Sequence, residues 1–131
     1  MSTEREEKIS VEKGQNSPKN DNWGAYMPER TQNIPLSEII SQLTKSQREK
    51  LISGYDLKSF ARIFEDDETM ATVDGLLRNG LNVSATARAL YMHRNTLIYR
   101  LNKIQKLTGL DLKNFDMAVT FEILRSLYML K

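Results

Sequence analysis

The sequence has no cysteine and a single histidine, His93. Without thiols there is no disulfide, no thiolate metal site and no cysteine nucleophile, and one imidazole cannot build a histidine metal cluster. No apolar run approaches the roughly 18 residues needed to span a bilayer. The amino terminus, Met1-Ser2-Thr3-Glu4-Arg5-Glu6-Glu7, carries carboxylates where a secretory leader needs a basic and then an apolar stretch. The expectation is a cytoplasmic protein with no membrane contact. What remains, 40% hydrophobic and 27% charged residues in 131, is the composition of an ordinary globular chain of about one domain.

Residues 1–33 are polar, of mixed charge and nearly devoid of periodic apolar residues, so they read as a disordered tail. Trp23, Tyr26 and Met27 are its exceptions. From Ile34 the pattern becomes helical. Pro35 suits a first helical turn, and Leu36, Ile39, Ile40 and Leu43 follow at helical spacing. Ser46-Gln47-Arg48-Glu49 fits a capping box opening a short helix that carries Leu51 and Ile52 and stops at Gly54. Phe60, Ile63 and Phe64 form an apolar connection or a third short helix. The acidic run Glu65-Asp66-Asp67-Glu68 then stands at the start of a helix bearing Met70, Val73, Leu76 and Leu77, where the helix dipole favours carboxylates. Asn79-Gly80 gives that helix a C-cap signal. Three more helices follow, over about 84–90, 94–108 and 114–130. The last carries Phe115, Val119, Ile123 and Leu127 on one stripe. No segment alternates as a strand does, so the fold class is all-α. It is a helical bundle divided into a tail (1–33), a helical lead-in (34–65) and a main domain (66–131).

The most telling absence is local. The thirty residues from Leu81 to Leu110 contain no Asp or Glu, in a chain that has 17, yet they hold Arg88, Arg94, Arg100, Lys103 and Lys106. Exclusion of carboxylates from one contiguous module is what a phosphate-facing surface requires. The apolar spacing agrees. Ala87 and Leu90 sit three apart, Tyr91-Met92-His93 make a tight turn, and Leu97 and Leu101 sit four apart, as in a helix-turn-helix. Met92 fills the gap between the two helices, and Tyr91 is expected to pack at the turn in preference to touching DNA. On a wheel of about 100° per residue, Leu97, Leu101, Ile104 and Thr108 cluster on one side. Asn95, Tyr99, Asn102 and Lys106 lie opposite, with Thr96 and Lys103 beside them. Asn pairs bidentately with adenine in the major groove, while Thr, Tyr and Lys are phosphate donors that set register. Arg94 reaches either a guanine edge or a phosphate. Ile98 completes the core. Arg100 is shared evenly between a phosphate contact and a bond to the acidic start of the preceding helix. His93 is read as the cap of the recognition helix in preference to a direct contact.

The string Ala87-Arg88-Ala89-Leu90-Tyr91-Met92-His93-Arg94-Asn95-Thr96-Leu97-Ile98-Tyr99-Arg100-Leu101, continued by Lys103-Ile104-Gln105-Lys106-Leu107-Thr108-Gly109-Leu110-Asp111-Leu112, resembles the C-terminal helix-turn-helix of the PucR family. These are regulators of purine catabolism and sugar-diacid use with a Fis-like DNA-binding module. The resemblance covers about residues 66–130 and, more loosely, 34–65. It implies a bacterial transcription regulator that binds double-stranded DNA through residues 94–106, as a homodimer associated with the nucleoid. Family members usually carry a large sensing region ahead of this module, whereas only residues 1–65 precede it here. The expectation is a reader without its own sensor, taking any signal from a separate regulatory protein.

Two other functions fit parts of the pattern. The helices can form a protein- or RNA-docking module whose basic face meets an acidic partner. A magnesium nuclease built on Asp66, Asp67 and Glu68 is the least implausible enzyme, but adjacent helical residues point in different directions. No nucleophile–base pair or phosphate loop accompanies them. The expectation is therefore a non-enzyme without cofactor or metal.

Overall fold

The computed structural model describes residues 33–130, in seven helices and no strand. The tail expected over residues 1–33 lies, but for Asn33, outside the described residues. The helices are α1 (Leu36–Ser41), α2 (Lys45–Ile52), α3 (Leu57–Phe64), α4 (Asp67–Arg78), α5 (Val83–Ala89), α6 (Arg94–Thr108) and α7 (Phe115–Met129). The expected all-α class stands, and the expected bounds of the last four helices hold to within a residue or so.

Most starts are fixed by side-chain caps, which satisfy the amide donors that a first helical turn leaves orphaned. Asp56 accepts from the Lys58 amide, Asn82 from Ala85 (2.8 Å) and Asn114 from Met117 (3.0 Å). Two expected starts need correction. Pro35 is not in the first turn of α1; with ψ 142° it is extended and precedes the helix as its N-cap. The capping box of α2 belongs to Thr44 and Gln47, not to Ser46 and Glu49. The Thr44 hydroxyl accepts from the Gln47 amide at 3.1 Å, and the Gln47 side chain accepts from the Thr44 amide at 2.9 Å. Thr44 holds the extended conformation that a cap needs, at φ −67° and ψ 161°, whereas Ser46 is already helical.

One core runs through all but α2. Ile40 of α1 and Phe60, Ile63 and Phe64 of α3 join Met70, Val73 and Leu76 of α4, Ala87 of α5, Leu97, Leu101 and Ile104 of α6, and Phe121, Leu124 and Leu127 of α7. Phe121 is the central filler, fully buried, with its ring centroid 5.3 Å from that of Phe64 in an edge-on contact. Two hydroxyls buried within this core, Thr72 and Thr86, donate to the carbonyls of Glu68 and Asn82 four residues back, so neither is left unsatisfied. On the rim, Arg125 of α7 bridges Asp74 of α4 at 2.7 Å and also reaches Glu122.

The expected stripe on α7 is rotated in the structure. Ala118, Phe121, Leu124 and Leu127 face inward, while Phe115 is 70% exposed and Val119 and Ile123 are half-buried. An almost continuously apolar helix offers several candidate stripes. The edge-on contact between Phe64 of α3 and Phe121 of α7 selects the stripe that buries Phe121 in place of Phe115.

Two tight turns set the reader geometry. After α4, the Leu81 amide donates to the Leu76 carbonyl and the Gly80 amide to Leu77, with Gly80 at φ +64°. After α5 the pattern repeats, with Met92 donating to Ala87 and Tyr91 to Arg88. Both are Schellman closures, which require a left-handed residue just past the helix. Glycine fills that place after α4, but Tyr91 fills it after α5, at φ +52°. A left-handed residue with a Cβ costs about 1–2 kcal/mol. The end of α5 approaches α4 closely because α4 presents Gly75 to Leu90. A Cβ on Gly75 would lie 2.9 Å from a Leu90 methyl.

The two phenylalanines of α7 separate the expected stripe from the observed one. Phe121→Ala is expected to cost about 3–5 kcal/mol, as a large buried truncation does, and Phe115→Ala to stay within about 0.5 kcal/mol. Chemical denaturation of both variants checks this, and equal losses would contradict the packing described.

Candidate nucleic-acid interface

The site is built on α6. Leu97, Leu101 and Ile104 are almost completely buried, and α6 is seated against α3 and α5. A helix held by one stripe must turn its other faces outward. Arg94, Asn95, Thr96, Tyr99, Asn102, Lys103 and Lys106 are all exposed, so the seven side chains expected on the polar face do lie on the surface. Tyr99, the aromatic among them, is 68% exposed at mid-helix. Thr108 and Ile98 are half-buried at the edges of the seated stripe.

His93 is the N-cap. Its Nδ1 accepts from the Asn95 amide at 3.0 Å. With Nδ1 accepting, the ring carries its proton on Nε2, an outward donor at the start of the helix. At the far end Gly109, at φ +81°, stops the helix, and the Thr108 hydroxyl accepts from the Leu110 amide.

Of the two roles open to Arg100, the structure shows the intramolecular one. Its guanidinium donates to Glu68 Oε2 at 2.8 Å and to the buried Thr72 hydroxyl at 3.1 Å, tying the start of α4 to the middle of α6. The pair is partly open to water, with Glu68 at 73% side-chain exposure, so its worth lies under about 1 kcal/mol. Its larger effect is on sign: the carboxylate nearest the α6 face is neutralised.

Asp66 and Glu65 are also engaged. Asp66 caps α4, accepting from the Thr69 amide at 3.0 Å and from the Thr69 hydroxyl. Glu65 accepts from the Tyr128 hydroxyl of α7. Asp66 nonetheless lines, with Tyr99, Lys103, Leu107 and Arg62, a groove of about 320 Å³ along one side of α6. The Thr69 hydrogen bonds hold its carboxyl below the ordinary aspartate range, with Lys103 and Arg100 adding smaller contributions of the same sign.

Tyr91 departs from expectation. It does not pack at the turn: it is 97% exposed, because its left-handed backbone swings the Cα–Cβ bond away from the domain. Met92, by contrast, packs against the core as expected. Sequence reasoning missed Phe121, Leu112, Thr72 and Thr86, all nearly inaccessible, and Gly75. The i, i+4 spacing of Glu68 and Thr72 was the one available sign that both face Arg100.

Two short helices joined by a four-residue turn, the second seated by one stripe and bare on the other, now meet a direct comparison. Residues 69–124 match the PucR C-terminal helix-turn-helix domain. Over that segment the chain is similar to a PucR-type helix-turn-helix. It is 56% identical over 45 residues to the carbohydrate diacid regulator of Escherichia coli (strain K12), a match covering 34% of this chain and 12% of that protein. Over 50 residues it is 44% identical to the purine catabolism regulatory protein of Bacillus subtilis (strain 168), covering 38% and 9%. It is also 30% identical over 77 residues to the uncharacterized protein YxkF of the same organism, covering 59% and 26%. The chain thus spans 9–26% of the length of these three relatives. No solved structure is significantly similar. In the PucR-type domain, α5 and α6 are the paired helices, and α4 and most of α7 complete the matched segment. Among the described residues, no helix is long and apolar enough to cross a membrane.

The Asp66 cap gives the domain an acid dependence of known sign. A carboxyl held below its unfolded value contributes stability that is fully present above about pH 4. That contribution is lost as pH falls through the lower folded value. Asp66→Asn keeps a capping oxygen but does not titrate. Its unfolding midpoint is expected to fall less than the parent's between about pH 4 and pH 2, and parallel acid limbs would contradict the role given to this cap.

Proposed function

We propose that this chain is a DNA-binding transcription regulator that inserts α6 into the major groove. One observation carries the reading. The outward face of α6 is an array of exposed amide, hydroxyl, phenol, guanidinium and ammonium groups, on a segment without a carboxylate, and Glu68 beside it is paired with Arg100. The PucR-type domain and the printed roles of two relatives, a regulator and a regulatory protein, support the same reading over an enzymatic one.

In this reading Asn95 and Asn102 read base edges. Thr96, Tyr99, Lys103 and Lys106 hold the sugar–phosphate backbone and set register. Arg94, in the first turn, takes a guanine edge or a phosphate. His93 caps α6 and offers Nε2 outward, while Arg100 acts as a positioning residue. Residues 34–65 serve as a lead-in whose helices share the core of the reader in 66–131. The chain works as a homodimer on two half-sites about one helical turn, ~34–36 Å, apart. Exposed Phe115 at the start of α7, beside an apolar groove lined by Leu36, Leu77, Leu81 and Val119, supports an apolar contact of this kind. Effector control would come from a separate regulatory protein, and the site of action is the nucleoid.

Selection of a preferred duplex followed by titration of two variants tests the division of labour. Asn95→Ala is expected to lose about 1–3 kcal/mol on the selected duplex and far less on random DNA. Lys106→Ala is expected to weaken both alike and to lower the salt slope by about one unit. Equal losses on both duplexes for Asn95→Ala would remove its base-reading role.

A further inference from the structure

The backbone strain at Tyr91 is unrepaid within the molecule. Two non-glycine residues among those described have positive φ, Leu81 and Tyr91. Leu81 packs its side chain against the core and recovers its cost there. Tyr91 is 97% exposed, so its ring recovers nothing from packing. The Schellman closure of α5 needs a left-handed residue, but glycine or asparagine would supply that conformation more cheaply. A large aromatic held there, wholly in solvent, carries two costs: strain and an exposed apolar ring. The closure uses the left-handed backbone but not the exposed aromatic side chain placed on it, and strain taken on for such a side chain is a reason to look for function.

The position indicates the ligand. Tyr91 stands two residues before the cap of α6 and lines a groove of about 470 Å³ with His93 and Thr96, both on the outward side of the helix start. Glu68, the one acidic residue lining it, is bridged by Arg100. Exposed Arg88 and Arg94 flank the turn in sequence. When a helix-turn-helix docks, the turn lies beside the groove edge while the first residues of the second helix meet the bases. A phenol there is a neutral donor of the kind that binds phosphate oxygens.

We propose that Tyr91 is a DNA-backbone contact whose phenol donates to a phosphate on the strand bordering the groove that α6 enters. This rests on the DNA-binding reading above. It makes the turn itself part of the interface, with Tyr91 fixing the entry register of α6 by a contact that carries no charge. Stability and affinity then respond to substitution in opposite directions, which a purely structural residue would not produce.

The experiment compares the full chain with Tyr91→Gly and Tyr91→Phe, by thermal melting and by anisotropy titration of a labelled random duplex at several salt concentrations. Tyr91→Gly is expected to raise Tm by about 4 °C and to weaken DNA binding roughly tenfold. Tyr91→Phe is expected to leave Tm unchanged and to weaken binding to a similar extent. Its salt slope should match the parent's, because no counterion-releasing charge is lost. Parent-like affinity in Tyr91→Phe would overturn the phenol contact. A Tyr91→Gly variant that is more stable and binds as tightly as the parent would overturn the inference as a whole and assign the exposed ring to a protein partner. Either result would leave DNA binding standing; a parent chain that binds no duplex at low salt would take the DNA reading and this inference down together.

Discussion

Everything the surface of this domain offers follows from the way α6 is seated. Three side chains on one row, Leu97, Leu101 and Ile104, are nearly inaccessible, and each contributes about 1.5–3 kcal/mol of apolar burial. The helix is seated against α3 and α5, so α6 cannot rotate without exposing the row. A rotation of one residue, about 100°, would turn Thr96 or Ile98 inward in place of Leu97 and lift Leu97 toward water. The chemistry of the exposed face is therefore a consequence of core packing. Arg100 refines the seat from the rim, reaching over the edge of the stripe to Glu68 and Thr72 on α4.

The short α5 depends on the same seat. At seven residues it is too short to persist by itself in water. It is held by the Asn82 cap at one end, the Schellman closure through Tyr91 at the other, and the burial of Ala87 and Thr86 between them. Gly75 completes the arrangement by leaving room on α4 for Leu90. The turn geometry that presents the start of α6 is thus determined by small residues and backbone hydrogen bonds. Leu90 and Met92 pack inward and His93 caps α6, which leaves Tyr91 as the turn side chain held in solvent.

Much of this was legible in the sequence because the strongest signals are local and periodic. The bounds of α6 follow from His93, Gly109 and the stripe between them, and the outward face follows from the same wheel. The carboxylate-free segment was equally plain. What the sequence hid depended on tertiary choices. The stripe of α7 is ambiguous in a helix apolar on several sides, and the edge-on contact of Phe64 with Phe121 decides it. The box at Thr44 competed with a plausible one at Ser46, and the exit of the chain from α1 decided that. Tyr91 reads as a packing aromatic until its φ of +52° is known, since only the backbone reveals that its side chain is turned outward. Arg100 had two partners of equal merit in the sequence; the proximity of α4 to α6 selected Glu68.

The central claim is that the exposed face of α6 is a DNA surface and not a solvated helix face. Its most direct test is fluorescence anisotropy of the full chain against random duplex DNA at two salt concentrations, beside a Tyr99→Ala, Lys103→Ala double variant shown to be folded by circular dichroism. The account predicts binding by the parent that weakens steeply with salt and is lost or strongly reduced in the folded variant. A variant that binds as tightly as the parent, or a parent that binds no duplex even at low salt, would contradict it.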